Sequence, residues 1–205
     1  DLCPSFGDNF DPTKKNGIES IMEVQHIYDA AYNIGCALST VAGPRDVKDQ
    51  DGWAWCIPTA YLEKQFLDAG DTERLRWTII KNGDKEIAGE PDFEALIEKQ
   101  ENANKDGSYF INKGSQKSAR IFRKYYCPLA QRGEKFDQTH SPINWPILRY
   151  ADVLLLYAEA LNELGRDAEA ARFVTLVRTR AFLDGVNGKA GNELRKIIRK
   201  ERQLE

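Results

Sequence analysis

No stretch of this 205-residue sequence stays apolar for long. Its longest uninterrupted run is Val153–Ala158, where a membrane-crossing helix needs about 20 apolar residues. No basic segment followed by an apolar core opens the chain, so no signal peptide is expected. Basic charge is not in excess either. Lys and Arg number 29 against 32 Asp and Glu, a net charge of −3, and no positive field exists to hold phosphate backbones or anionic lipid. Nucleic acid is excluded as an expected partner. Histidine is scarce: only His26 and His140 are present. Neither has the neighbour spacing of a metal ligand, and no nucleophile elbow supports a Ser-His-Asp site. Cys3, Cys36, Cys56 and Cys127 form no CxxC pair, which argues against zinc. In an exported protein they would make two disulfides in one of three connectivities; in the cytosol they would be buried thiols. Asp46, Asp49 and Asp51 alternate, but the later Gly and Glu of a calcium loop are missing, so they read as an exposed acidic loop. No metal and no cofactor is expected.

What is present divides into an irregular part and a helical part. "SIMEVQ" (20–25) reads as a short strand, and "HIYDAAYNIGCALSTVAG" fits helix or irregular chain equally. "PRDVKDQDGWAW" (44–55) is a polar loop ending in two tryptophans. "PTAYLEKQFLDAG" (58–70) predicts a helix with Pro58 in its first turn and Gly70 at its stop. "RWTIIKNGDKEI" predicts a hairpin about Asn82-Gly83, and "SYFIN" and "ARIFRKYY" are strand candidates. Residues 127–146, with Pro128, Gly133, Pro142 and Pro146, form a long loop or joint. The division falls into 1–142, a loop-rich mixed region and the expected ligand-binding face, and 143–205, helical.

From Pro146 onward the pattern is helical. Arg149, Asp152, Glu159, Asn162 and Glu163 share one narrow stripe at about 100° per residue, while Leu148, Ala151, Leu154, Leu155, Ala158 and Leu161 fill a wide apolar arc. Such a helix needs cover on more than one side. Gly165 should end it, Asp167 should cap the next helix, and "NELRKIIRKERQLE" should bury Leu194, Ile197, Ile198 and Leu204. Small residues at Ala158 and Ala170, packed beside Leu161 and Val174, describe a tetratricopeptide-type pair whose further neighbours lie elsewhere.

Two constellations deserve a chemical test. Asp152 and Glu159 stand about two turns apart, roughly 10 Å, on one polar stripe with no cleft between them. A glycosidase needs its two carboxyls facing across a substrate at about 5–9.5 Å. An Arg149–Asp152 ion pair and solvated or inter-helix contacts are the better reading. Trp53 and Trp55, by contrast, sit in a polar loop. In extended chain they would point to one face about 6.6 Å apart, ready to stack under the apolar faces of sugar rings. The competing role is core packing over the following helix. Tyr28 and Tyr32 are weaker candidates of the same kind.

"PILRYADVLLLYAEALNELG", "VRTRA" and "LRKIIRKERQLE" closely resemble the C-terminal signature of the SusD/RagB family. "IPTAYLEKQFLDAGDTERLRWTII" resembles that family's Pro-Thr helix and the segment after it, with "ESIMEVQ" and "FRKYY" as weaker matches in order. The resemblance implies a mostly α SusD-like fold, with a tetratricopeptide-type helix pair after a loop-rich, partly β region. It implies a non-catalytic outer-membrane lipoprotein that binds oligosaccharides or polysaccharides and hands them to a SusC-like TonB-dependent transporter. Family members are over twice this length and carry an N-terminal lipidated cysteine, so the chain is expected to be a piece of a longer polypeptide, with Cys3 not the lipid site. A tetratricopeptide adaptor and an all-α glycoside hydrolase are the alternative readings.

Overall fold

A computed structural model describes residues 1–27, 29, 31, 35–43, 53–81, 120–125 and 141–205. In chain order the described elements are a 3-10 turn (Phe6–Asn9), β1 (Ser20–Val24), α1 (Leu38–Val41), α2 (Ala60–Asp68), α3 (Thr72–Thr78), β2 (Ile79–Lys81), β3 (Arg120–Phe122), β4 (Trp145–Arg149), α4 (Tyr150–Glu163), α5 (Asp167–Arg180) and α6 (Gly191–Leu204). They belong to two compact units. One comprises Asp1–Glu23, Gln65–Leu75 and Pro146–Glu205; the other comprises Val24–Lys64 and Arg76–Trp145.

The first unit is built on α4, α5 and α6. Ala151, Leu154, Leu155, Ala158 and Leu161 of α4 meet Ala170, Ala171, Val174 and Val177 of α5 and Leu194 and Ile198 of α6 in one buried cluster. Each fully buried Leu or Ile contributes about 1.5–3 kcal/mol. Ala158 and Ala170 are wholly buried, as the close approach of two helix backbones requires. The wide apolar arc is thus covered by two partners, yet Leu156, Tyr157 and Leu164 remain exposed.

Helix ends follow local chemistry. Gly165 adopts φ +72, and Arg166 N–H reaches the Leu161 carbonyl at 2.8 Å while Gly165 N–H reaches Asn162 at 3.0 Å. These are the two bonds of a Schellman stop. Gly70 repeats the motif after α2 at φ +67, with Asp71 N–H on the Phe66 carbonyl at 3.0 Å. Phe182 takes the same place after α5 at φ +59 without being a glycine. The start of α5 differs from expectation. Arg166, not Asp167, is the capping position, and no side chain caps it. The Asp167 carboxylate instead accepts from Asn162 Nδ2 at 2.6 Å and from Gly191 N–H at 2.8 Å, tying the ends of three helices together.

The helical reading from Pro146 onward is also corrected. Trp145–Arg149 is a strand, paired with β1 in a two-stranded sheet. Arg149 is extended at φ −116, ψ 155, and the first N–H of α4, from Tyr150, is satisfied by the Glu19 carbonyl at 2.8 Å. Pairing along β1 outweighs the helical pattern read for residues 146–149.

This strand carries Arg149 into a buried ion cluster that the sequence reading did not foresee. Arg149 pairs with Glu19 and Glu205 at 2.9 Å each, and Arg180 pairs with Glu19 at 2.7 Å and with Glu205. Arg74 pairs with Asp71, with Glu201 at 2.8 Å and with Glu205 at 3.1 Å, while Arg178 also reaches Glu201. Four guanidiniums face four carboxylates. Burial pushes the Glu205 carboxyl up, but Arg180, Arg149 and Arg74 outweigh it and hold it at about 2 against an ordinary 4.5. The expected Arg149–Asp152 pair does not form, because Arg149 is spent here; Asp152 meets Arg202 at 3.1 Å instead.

In the second unit α2 starts at a Thr59 cap, whose hydroxyl accepts from Leu62 N–H at 3.2 Å, so Pro58 stands just outside the helix. "RWT" is helical as the end of α3, and β2 begins only at Ile79. Its described partner is β3, antiparallel, with Ile80 opposite Ile121. Asn82-Gly83, "SYFIN" and the Asp46, Asp49 and Asp51 loop lie outside the described residues. Glu63 clamps this ribbon, accepting from Lys81 at 2.9 Å and from Arg120 at 2.8 Å. Burial raises its carboxyl, but the hydrogen bonds from Lys81 and Arg120 prevail and lower it.

Candidate functional site

The tryptophan pair is held by a four-residue helix. Leu38–Val41 is too short to satisfy its own carbonyls, and an isolated turn leaves these acceptors orphaned. The backbone of 53–55 supplies the donors. Trp53 N–H reaches the Thr40 carbonyl at 2.8 Å, Ala54 N–H reaches Gly43 at 3.1 Å, and Trp55 N–H reaches Val41 at 3.0 Å. Beneath them Ser39, Thr40 and Ala42 are buried. The tripeptide is therefore a backbone-anchored crossing rather than a free loop.

The extended geometry expected for it does not occur. Ala54 has φ +50, in the left-handed region, so the two indoles do not stand side by side 6.6 Å apart as consecutive same-face residues of a strand would. Their ring centroids lie 4.7 Å apart with planes inclined at 39°. Trp55 is 70% exposed, whereas Trp53 is half-buried. An exposed indole on a fixed backbone offers an apolar, polarizable face to solvent, the surface against which the C–H face of a sugar ring packs. Tyr28 and Tyr32 lie outside the described residues. Ala54 escaped the sequence reading, because alanine gives no signal for left-handed backbone, which among non-glycine residues favours Asn, Asp and His.

The acidic alternative has a plain structural explanation. Asp152 and Glu159 both face Arg202, at 3.1 and 3.5 Å, and Glu163 faces Arg195 at 2.7 Å. They cross-link α4 to α6 on its outer side. Among the described residues no group of three His, Cys, Asp or Glu is placed to hold a metal ion, and no described helix is long and apolar enough to cross a membrane. Cys3, Cys36 and Cys56 are free thiols, the first two buried and the third exposed; Cys127 lies outside the described residues. Burial pushes the Cys3 and Cys36 thiols up.

Known proteins place this architecture. The sequence profile of the SusD family matches residues 18–205, and the chain belongs to that family. A curated relative, SusD-like protein P38 of Formosa agariphila, is 44% identical over 68 residues, covering 29% of this chain and 14% of the relative. A laminarin-binding SusD-like protein superposes with a TM-score of 0.73 at 21% identity, over 99% of this chain and 42% of its own. Surface glycan-binding protein A of Bacteroides thetaiotaomicron, in complex with laminarihexaose, gives 0.73 at 20% identity over 100% of this chain and 43% of its own. The fold is thus mostly helical and SusD-like, and the chain spans about two fifths of the length of these solved structures.

Proposed function

We propose that this chain is part of a non-catalytic, cell-surface glycan-binding protein that captures oligosaccharides or polysaccharides and passes them to a SusC-like TonB-dependent transporter in the outer membrane. The observation that carries the reading is an exposed, backbone-anchored indole, Trp55, in a chain whose fold matches that of a protein holding laminarihexaose. Membership of the SusD family supports the location, with attachment through an N-terminal lipid. Residues 1–142 would supply the binding face through Trp53 and Trp55, with Tyr28 and Tyr32 as further contacts carried from sequence alone. Residues 143–205 would serve as scaffold.

Binding should favour an oligosaccharide over a monosaccharide. One stacked ring gains little once translational freedom is lost, whereas several rings share that cost. The test is calorimetric titration of the 205-residue chain and of the complete product of its gene against laminarin, starch, xylan and mannan. Saturable heat with one class, and none with its monosaccharide at the same concentration, is the expected result. Silence across the panel for both proteins would refute it.

A further inference from the structure

We infer that Trp53 and Trp55 form one sugar-stacking surface rather than two, in which Trp55 is the contact residue, Trp53 its positioning residue and the left-handed turn at Ala54 the device that brings them together. This rests on the glycan-binding reading above and adds a division of labour to it.

Contact geometry decides between one platform and two. Carbon atoms in contact stop at about 3.5–4.0 Å, and each ring's own half-width adds to that when two rings lie side by side in a plane. Centroids 4.7 Å apart are too close for that arrangement. The indoles must overlap partly face to face, each covering a face of the other, so two neighbouring sugar rings cannot occupy both. The faces left are the outer ones, and they are unequal: Trp55 is 70% exposed, while Trp53 is half-buried. Trp53 therefore acts as a backstop that fixes the tilt of Trp55. A single platform takes one pyranose ring of the glycan, presenting its C–H face.

The turn explains how residues i and i+2 come to touch. In extended chain both rings would project from one face without overlapping. At φ +50 Ala54 reverses the backbone between them, and the three anchoring N–H bonds to the Thr40, Gly43 and Val41 carbonyls hold the reversal in place. A left-handed non-glycine residue costs energy and persists only where its surroundings enforce it. Here they do so from both sides of the turn.

The experiment uses the 205-residue chain in two readouts. Two indoles in contact couple their transitions, so circular dichroism of the unliganded protein should show an exciton couplet. It should vanish in Trp53→Phe and in Trp55→Phe, survive in Ala54→Gly, and vanish in Ala54→Val, whose branched side chain opposes positive φ. Laminarihexaose, maltohexaose, xylohexaose and mannohexaose are then titrated by calorimetry. With any sugar that the parent protein binds, Trp55→Ala should lower affinity about thirtyfold, as removal of a central aromatic anchor does. Trp53→Ala should cost about tenfold, less than Trp55→Ala, and Trp53→Phe, which keeps an aromatic backstop, should recover most of that loss. A parent protein without the couplet would overturn the contact geometry. Equal losses in Trp53→Phe and Trp55→Ala, or an unchanged affinity in Trp55→Ala, would overturn the division of labour while leaving glycan binding intact. Silence of both the 205-residue chain and the complete gene product toward all four sugars, with the couplet present, would instead sink the glycan reading and this role with it.

Discussion

Glu19→Gln probes the ion cluster at one of its fully buried carboxylates. The Glu19 side chain is fully buried, and its two oxygens take four donors. Arg149 Nη1 lies at 2.9 Å, Arg180 Nη1 at 2.7 Å, the Cys3 amide at 2.9 Å and Asn9 Nδ2 at 3.1 Å. Neutralising the carboxylate turns a donor NH₂ toward guanidiniums and leaves Arg180, only 4% exposed, with Glu205 as its remaining carboxylate. Breaking a buried pair on one side costs about 3–5 kcal/mol. For a chain of this size that lowers the melting temperature by about 6–20 °C. Differential scanning calorimetry reads the shift, with urea unfolding as a second measure. Salt at 1 M, an order-of-magnitude choice that screens exposed pairs, should leave the difference nearly unchanged, since buried pairs are screened much less. Removing both partners, as in Glu19→Leu with Arg180→Met, should recover stability relative to either single change, because the cost lies in the stranded charge. A Glu19→Gln protein that melts together with the parent would refute the cluster as a stabilising unit.

Helix stops supply an opposed pair of changes. Gly165→Ala meets no atom within 4 Å, so only its φ of +72 opposes the new side chain, and the loss should be about 1 kcal/mol; Phe182→Gly, at φ +59, should gain about as much. Urea midpoints of both variants check the signs. Acid should unfold the first unit in a defined window. Glu205 titrates at about 2 in the folded chain against an ordinary 4.5. Its contribution of about 3 kcal/mol is complete above the higher value and is lost as pH falls toward the lower. Unfolding free energies measured between neutral pH and pH about 2 should decline through that interval, and a flat profile would contradict the assignment. Among the three described thiols only Cys56 is exposed, so it should react first with a thiol reagent under mass mapping, with Cys3 and Cys36 reacting only on unfolding.

Much of the helical unit was legible because each signal was local. Period 3.6 marked the buried faces of α4, α5 and α6, small residues marked the Ala158–Ala170 contact, and Gly165 marked its own stop. What stayed hidden depended on distant partners. The segment 146–149 looks like the start of a helix until β1 is there to pair with it. Arg149 looks like a partner for Asp152 until folding brings Glu19 and Glu205 to it. Glu201 did carry a readable sign. It sits on the same face as Leu194, Ile198 and Leu204, all buried, and a carboxylate on an apolar face demands buried cations. The Trp-Ala-Trp spacing suggested an extended geometry that the fold does not keep, because a strand period was assumed where the carbonyls at the end of α1 impose a turn.

The central claim, that glycan rests on Trp55, is tested most directly by footprinting. N-bromosuccinimide oxidises exposed indoles, and peptide mapping by mass spectrometry follows Trp53 and Trp55 separately in the complete gene product. Without ligand, Trp55 should be oxidised faster than Trp53, in line with its 70% exposure. With a saturating oligosaccharide from the class that gives binding heat, Trp55 should be protected in proportion to occupancy. Oxidation of Trp55 at an unchanged rate under saturating glycan would place the ligand elsewhere and contradict the account.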